Sequence, residues 1–146
     1  MAKPVIVLAP GAWHPVSCFD NLIAFLTAAG YETQTIVFPA VYHAAEIKEP
    51  SLELDIAAVR AVVEPLAQAG RDVVLVMHSW GGFPGSSALQ ELTQTVRHLV
   101  YMAAFVPAVG QRIVDLAETA PPSAVKVVVW LVPLLLSRRV KSCSRC

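Results

Sequence analysis

The sequence is poor in charged residues and has no apolar run long enough to cross a membrane. Only 15% of its 146 residues are charged, and the formal net charge is zero. This balance argues against nucleic acid or an anionic membrane surface as the main partner. A membrane-spanning helix needs about 20 apolar residues, whereas the run 127–136 has ten. We therefore expect neither nucleic-acid binding nor a membrane span.

Cysteine is also scarce. Cys18, Cys143 and Cys146 do not suggest a disulfide framework. The C-x-x-C pair at the end has no second pair and no βαβ context, so no metal or redox site is expected. The apolar run that follows Pro4 is only five residues long, too short for the core of a signal peptide. A cytoplasmic protein is therefore expected.

Apolar residues, by contrast, are abundant. They make up 55% of the chain, and the mean hydropathy is +0.57. Such a composition is high for a small domain, which has much surface to cover. Either the strands are buried on both faces of a parallel sheet, or the chain lacks segments against which it would pack.

Strands and helices alternate along the chain, joined by short links. We predict strands over 4–9, 33–38, 72–77 and 98–104, and helices over 18–29, 51–68 and 82–93. This alternation predicts an α/β fold with a doubly wound, mostly parallel sheet and flanking helices. The rhythm stops late in the chain, so we divide it into a domain over 1–122 and a divergent apolar and basic tail over 123–146.

The most informative segment is the apolar strand 72–77 with the turn His78-Ser79-Trp80-Gly81-Gly82 that follows it. This layout is typical of a nucleophile elbow, in which a serine is exposed on a strained strand-to-helix turn. The residues two before and two after the serine should be small. Gly81 meets that requirement, while Met77 replaces the usual glycine. The segment predicts acyl transfer through Ser79.

An activated serine also needs an oxyanion hole. One donor is expected to be the backbone N–H of Trp80, and the other the N–H of Ala12 or Trp13 in the loop after the first strand. Gly11 would let that loop approach a substrate. The Trp13 side chain either lines the substrate pocket or packs in the core, and both interpretations stay open.

With these motifs in place, the chain resembles the first part of an α/β-hydrolase of the single-domain serine-esterase-like group, apparently truncated after the sixth family strand. The resemblance covers about residues 4–122 and rests on PVIVLAPGAWH, VVLVMHSWGG and HLVYMAAFVPAVGQ, in that order. It implies a partial α/β-hydrolase fold that acts on a small-molecule ester, lactone or thioester. It implies no cofactor, and it suggests a role in a biosynthetic pathway.

The resemblance also implies a triad in the order serine, acid, histidine. The only histidine after Ser79 is His98, which is expected at the opposite end of its strand from the elbow. His14 beside the oxyanion loop is the remaining candidate base, against the alternative of a partly exposed loop histidine. His78 is expected to pack in the protein rather than to act.

A second interpretation is a truncated, non-catalytic α/β-hydrolase fragment that binds a ligand or a partner chain. Strand 98–104 would then be an open apolar edge of the sheet, a hazard for pairing with another chain. Self-association through that edge is the expectation that separates the two interpretations.

Overall fold

A five-stranded sheet organises the protein. The computed structural model describes residues 2–43, 45–115 and the backbone of 130–133. The order in the sheet is β2-β1-β3-β4-β5, and β1 to β4 are mutually parallel, as expected for a doubly wound fold. The strands are β1 Val5–Ala9, β2 Thr33–Thr35, β3 Val73–His78, β4 Val96–Met102 and β5 Trp130–Pro133.

Four α-helices connect these strands in the described ranges: α1 Asp20–Ala28, α2 Pro39–Tyr42, α3 Leu52–Gln68 and α4 Gly82–Ser87. None of them is long and apolar enough to cross a membrane.

Helix α4 ends at Ser87, earlier than the sequence pattern predicted. The left-handed φ of +67° at Glu91 interrupts a helical path. Arg60 of α3 donates to the carbonyl oxygens of Ala88 and Gln90, which stabilises the irregular segment after α4.

The main core lies between the sheet and the pair α3 and α4. Strand residues alternate between the two faces, and one set from β1, β3 and β4 faces these helices. Its fully buried members include Val7, Leu75 and Met77. Strand β1 is buried along its whole length, so this central strand is covered on both faces of the sheet.

The opposite face is covered less completely. Helix α1 packs there, with Leu22 and Leu26 against Ile6 and Val76. A largely apolar groove of about 580 Å³ remains open beside α1. Its lining comes from β1, β3, β4 and α1: Pro4, Ile6, Leu22, Leu26, Tyr31, Val74, Val76, His98, Val100 and Met102.

The free edge expected at β4 is occupied. Strand β5 pairs antiparallel with β4, with Tyr101 opposite Trp130 and His98 opposite Pro133. The expectation of an open β4 edge is therefore wrong. The apolar run over 127–136, which showed no clear secondary-structure pattern in the sequence, contains the strand that covers the edge.

Candidate active site

The carboxyl ends of three neighbouring strands meet at one edge of the sheet. Ala9 of β1 lies beside Met77 of β3, and His78 lies beside Met102 of β4. The loops after these strands consequently converge. Each contains one non-glycine residue with positive φ: Trp13 at 59°, Ser79 at 49° and Ala103 at 46°. Backbone strain of this kind is characteristic of functional sites.

Ser79 occupies a tight turn between β3 and α4. Residues 79–81 form one 3-10 turn, and α4 begins at Gly82. The left-handed φ costs a non-glycine residue roughly 1–2 kcal/mol, so contacts around the turn must maintain it. One is the backbone hydrogen bond from Phe105 N–H to the Ser79 carbonyl oxygen, 3.1 Å.

The two glycines after Ser79 let backbone segments approach the turn. A Cβ at Gly81 would lie 2.8 Å from the carbonyl oxygens of both Ala9 and Pro10. A Cβ at Gly82 would overlap the carbonyl oxygen of Phe105. The glycine pair therefore brings the loops after β1 and β4 against the serine turn.

Met77, where the family pattern usually has glycine, is accommodated by a different glycine. Its side chain is fully buried and points at Gly85 of α4, where a Cβ would lie 2.5 Å from the Met77 Sδ. The missing side chain at Gly85 leaves the volume that the methionine fills. The departure from the pattern is thus compensated within the core, below the turn.

Gly11 is the point where the candidate groups meet. A Cβ placed there would lie 3.1 Å from His14 Nδ1, from His78 Nδ1 and from Ser79 Cβ. The two imidazole rings pack edge to face with centroids 5.4 Å apart. The structure therefore brings His14, His78 and Ser79 around one small volume that a side chain at residue 11 would block.

The tautomer of His14 follows from its contact. His14 Nδ1 lies 2.9 Å from the carbonyl oxygen of Ala12. A carbonyl oxygen only accepts, so Nδ1 carries a hydrogen, and in the neutral imidazole the lone pair is then on Nε2. This is the form that a general base requires.

The surroundings of His78 make its imidazole a weaker base than a free one. Burial lowers the pKa of its imidazole, and the charge of the neighbouring His14 lowers that pKa further. His78 is therefore expected to remain neutral beside the serine turn.

His98 lies away from these groups, as expected. It pairs with Val74, while the carboxyl end of β4, Met102, pairs with His78. His98 lies four residue steps from that end, or about 13 Å at roughly 3.3 Å per residue. The imidazole of His98 lines the groove on the α1 face instead.

The indole side chain of Trp80 is fixed by a hydrogen bond and a stacking contact. Its indole N–H donates to Asp55 Oδ2 at 2.9 Å, and its ring stacks on Phe83 at 6.0 Å between centroids and 15° between planes. Asp55 also accepts from the Ala40 N–H through Oδ1 at 2.8 Å. It is the only charged or polar residue that is buried in the described part of the chain.

A small cavity of about 180 Å³ opens beside the loop after β1. It is lined by that loop, the segment after β2 and the end of α2: Pro10, Gly11, His14, Pro15, Val16, Ser17, Val37, Phe38, Tyr42 and His43. The Trp13 side chain does not contribute to this lining and is 80% exposed.

Sequence reasoning missed three residues that shape this site: Asp55, His78 as the ring partner of His14, and Gly85. A signal for Asp55 was present. It shares the buried face of α3 with Val59 and Val63, at helical spacing. A lone carboxylate on an apolar helix face requires buried donors, here the N–H groups of Ala40 and Trp80.

Comparison with known proteins gives a consistent picture. The model of a family described as "Alpha/beta hydrolase family" matches residues 6–142. "Probable hydrolase R7" of a Phoma species is 33% identical over 113 residues, covering 76% of this chain and 46% of that protein. "Carbendazim hydrolyzing esterase" of a Nocardioides species is 34% identical over 121 residues, covering 82% and 49%.

Solved structures show the same fold. A polyneuridine aldehyde esterase mutant superposes with a TM-score of 0.68 at 20% identity, covering 82% of this chain and 49% of that one. An extracellular alpha/beta-hydrolase from a Paenibacillus species gives 0.65 at 22% identity, covering 84% and 48%. The chain spans about half the length of the curated relatives it matches.

Proposed function

Because the chain belongs to the alpha/beta hydrolase family, we propose that it supplies the nucleophile and oxyanion hole of a serine esterase for a small-molecule ester, lactone or thioester. Ser79 Oγ attacks the carbonyl carbon, and its proton passes to a base. The alcohol or thiol leaves with a proton, and water then releases the acid from the acyl-enzyme.

One observation carries this proposal: Ser79 has a φ of +49° at the end of β3, directly against Gly11 of the loop after β1. That geometry presents the hydroxyl at the edge where the loops converge. The N–H groups of Trp80 and Ala12 are the proposed oxyanion donors, since they belong to the two segments that meet there.

His14 is the proposed base within this chain. In the neutral imidazole its Nε2 has the lone pair, since Nδ1 donates to the carbonyl oxygen of Ala12. In a serine triad a carboxylate orients the imidazole and stabilises its charged form. Among the described residues His14 is oriented by a backbone carbonyl instead, so we propose a base weaker than that of a complete triad.

The cavity beside Gly11 indicates the size of the group that is bound. Its volume of about 180 Å³ is close to that of an apolar cavity that holds a benzene-sized molecule, about 150 Å³. The proposed substrate is therefore an ester with a compact acyl or alcohol group. Trp13, which is exposed in the loop after β1, is the proposed contact for the remainder of the substrate. We place this activity in a cytoplasmic biosynthetic pathway.

Labelling with a fluorophosphonate probe tests the proposal. The purified protein should be labelled, Ser79→Ala should not, and the exposed serine variant Ser87→Ala should be labelled like the wild type. His14→Gln should slow labelling at least about tenfold, in line with the loss of a general base. Absence of labelling in a folded wild-type protein would refute the proposed activity.

The orientation of His14 also supports a second proposal, a non-catalytic protein that binds a ligand or a partner chain. Among the described residues the His14 imidazole has a carbonyl partner and not the carboxylate that a triad needs. This chain would then bind a ligand or a partner chain without hydrolysing an ester. Gel filtration with light scattering separates the two proposals: an unlabelled protein that is also a dimer favours this one, and a labelled monomer excludes it.

A further inference from the structure

The inference concerns Asp55, a fully buried carboxylate of α3 that lies outside the proposed catalytic groups. Burying a carboxylate is costly unless its oxygens are hydrogen-bonded. Both oxygens of Asp55 have one donor each, Ala40 N–H and Trp80 Nε1–H. No buried side-chain polar atom in the described part of the chain lacks a partner. The cost of this burial is thus offset at two specific places.

The two donors belong to different segments of the candidate site. Trp80 directly follows Ser79 in the 3-10 turn. Ala40 is in the first turn of α2, and Phe38, the N-cap residue before this helix, makes no side-chain cap hydrogen bond. Asp55 therefore satisfies an N–H group that a helix start leaves free, and it does so from another helix.

Helix α2 in turn forms one wall of the cavity. Tyr42 at its end, His43 after it and Phe38 before it all line the cavity opposite Gly11. One carboxylate thus ties this wall to the turn that carries the nucleophile. Burial raises the pKa of Asp55 above its ordinary value, and the hydrogen bonds from Ala40 and Trp80 offset this only in part.

We propose that Asp55 is a positioning residue, which fixes the Trp80 backbone and the α2 wall of the cavity relative to Ser79. The expected effect of Asp55 on reaction rate rests on the proposed esterase chemistry. Its structural role in holding the two segments does not depend on that chemistry. A displacement of about 1 Å in such a constellation can reduce rate about a hundredfold.

The first test compares Asp55→Asn with the control Asp72→Asn. Asp72 is an exposed carboxylate paired with Arg97 at the start of β3. Asparagine presents one oxygen and one NH2 group, so one of the two donors loses its acceptor. Fluorophosphonate labelling of Ser79 should slow at least about tenfold in Asp55→Asn and remain unchanged in Asp72→Asn. Equal labelling rates for Asp55→Asn and wild type would overturn the proposal.

Trp80→Phe provides a second variant in case Asp55→Asn does not fold. It retains a ring on Phe83 and removes only the indole donor. Labelling of Trp80→Phe should also slow. Combining it with Asp55→Asn should slow labelling little further, because both substitutions remove the same hydrogen bond between Trp80 and Asp55. Wild-type labelling by Trp80→Phe would equally overturn the proposal.

Nuclear magnetic resonance keeps the two proposals distinguishable. In Asp55→Asn the backbone amide signals of Trp80 and Tyr42 should shift together, since one carboxylate holds both segments. If the wild-type protein is not labelled, the proposed esterase activity is refuted, and the amide signals alone then test whether Asp55 positions the two segments. Amide signals that stay in place at both residues would overturn it.

Discussion

The contact between Met77 and Gly85 makes a quantitative prediction. Met77 is fully buried, and a Cβ at Gly85 would lie 2.5 Å from its Sδ and 3.0 Å from its Cγ. Gly85→Ala overfills the core, which typically costs 1–3 kcal/mol, roughly. The change also improves the intrinsic propensity of α4 by about 1 kcal/mol. We expect a net destabilisation of roughly 0–2 kcal/mol.

The effect should reverse once the methionine is shortened. Met77→Ala alone should destabilise by about 2–5 kcal/mol, as for other fully buried side chains. In that background the methyl group of Gly85→Ala enters space that is now empty. The substitution should then stabilise by about 1 kcal/mol from propensity alone. The coupling between the two sites is therefore expected at roughly 1–3 kcal/mol.

Equilibrium urea unfolding of the four proteins, followed by circular dichroism, measures this coupling. Gly70→Ala is the matched control. Gly70 is a left-handed residue at φ +67° with no heavy atom within 4 Å of the added Cβ. Gly70→Ala should lower the free energy of unfolding by the same amount in the wild type and in Met77→Ala. Effects of Met77→Ala and Gly85→Ala that add to within about 0.5 kcal/mol would refute the packing argument.

Two further predictions concern the same region. Gly82→Ala places a Cβ onto the Phe105 carbonyl oxygen, whereas Gly110→Ala at φ +79° meets no neighbour. Urea unfolding should show that the free energy of unfolding falls by at least about 3 kcal/mol in Gly82→Ala and by roughly 1–2 kcal/mol in Gly110→Ala. Similar losses in the two variants would contradict the overlap. Burial and His14 lower the folded-state pKa of His78, so the unfolded chain binds a proton first as the pH falls. The stability of the folded protein should therefore decrease below about pH 6.5. Thermal unfolding between about pH 7.5 and 5 should show a smaller fall in melting temperature for His78→Gln than for the wild type. The same pH dependence in both proteins would contradict this assignment.

Most of the sheet could be predicted because its signals are local. The runs ending at Ala9, Met77 and Ala104 are apolar and bounded by turn residues, and they became β1, β3 and β4 within a few residues. The parallel arrangement of β1 to β4 was also predicted correctly. It follows from the short right-handed connections that such alternation requires.

What the sequence did not predict depends on contacts between distant segments. Gly85 compensates Met77 across a helix and a strand, and Asp55 finds its donors 15 and 25 residues away. The pairing of β5 with β4 is similar, since the apolar run over 127–136 showed no alternation to indicate a strand. Propensity and periodicity predict the secondary structure of the segment in which a residue lies. The contacts of Met77 and Asp55 and the pairing of β5 depend instead on which distant segment packs against them.

The open groove beside α1 has a practical consequence for handling the folded protein. Its apolar lining from Ile6, Val74 and Val100 encloses about 580 Å³, enough to admit the environment-sensitive dyes used in thermal-shift screening. Such dyes fluoresce on exposed apolar surface, so the native protein should already give a bright baseline and a shallow transition. Tryptophan emission is therefore the better reporter of its melting, and detergent additives should be expected to compete for this face.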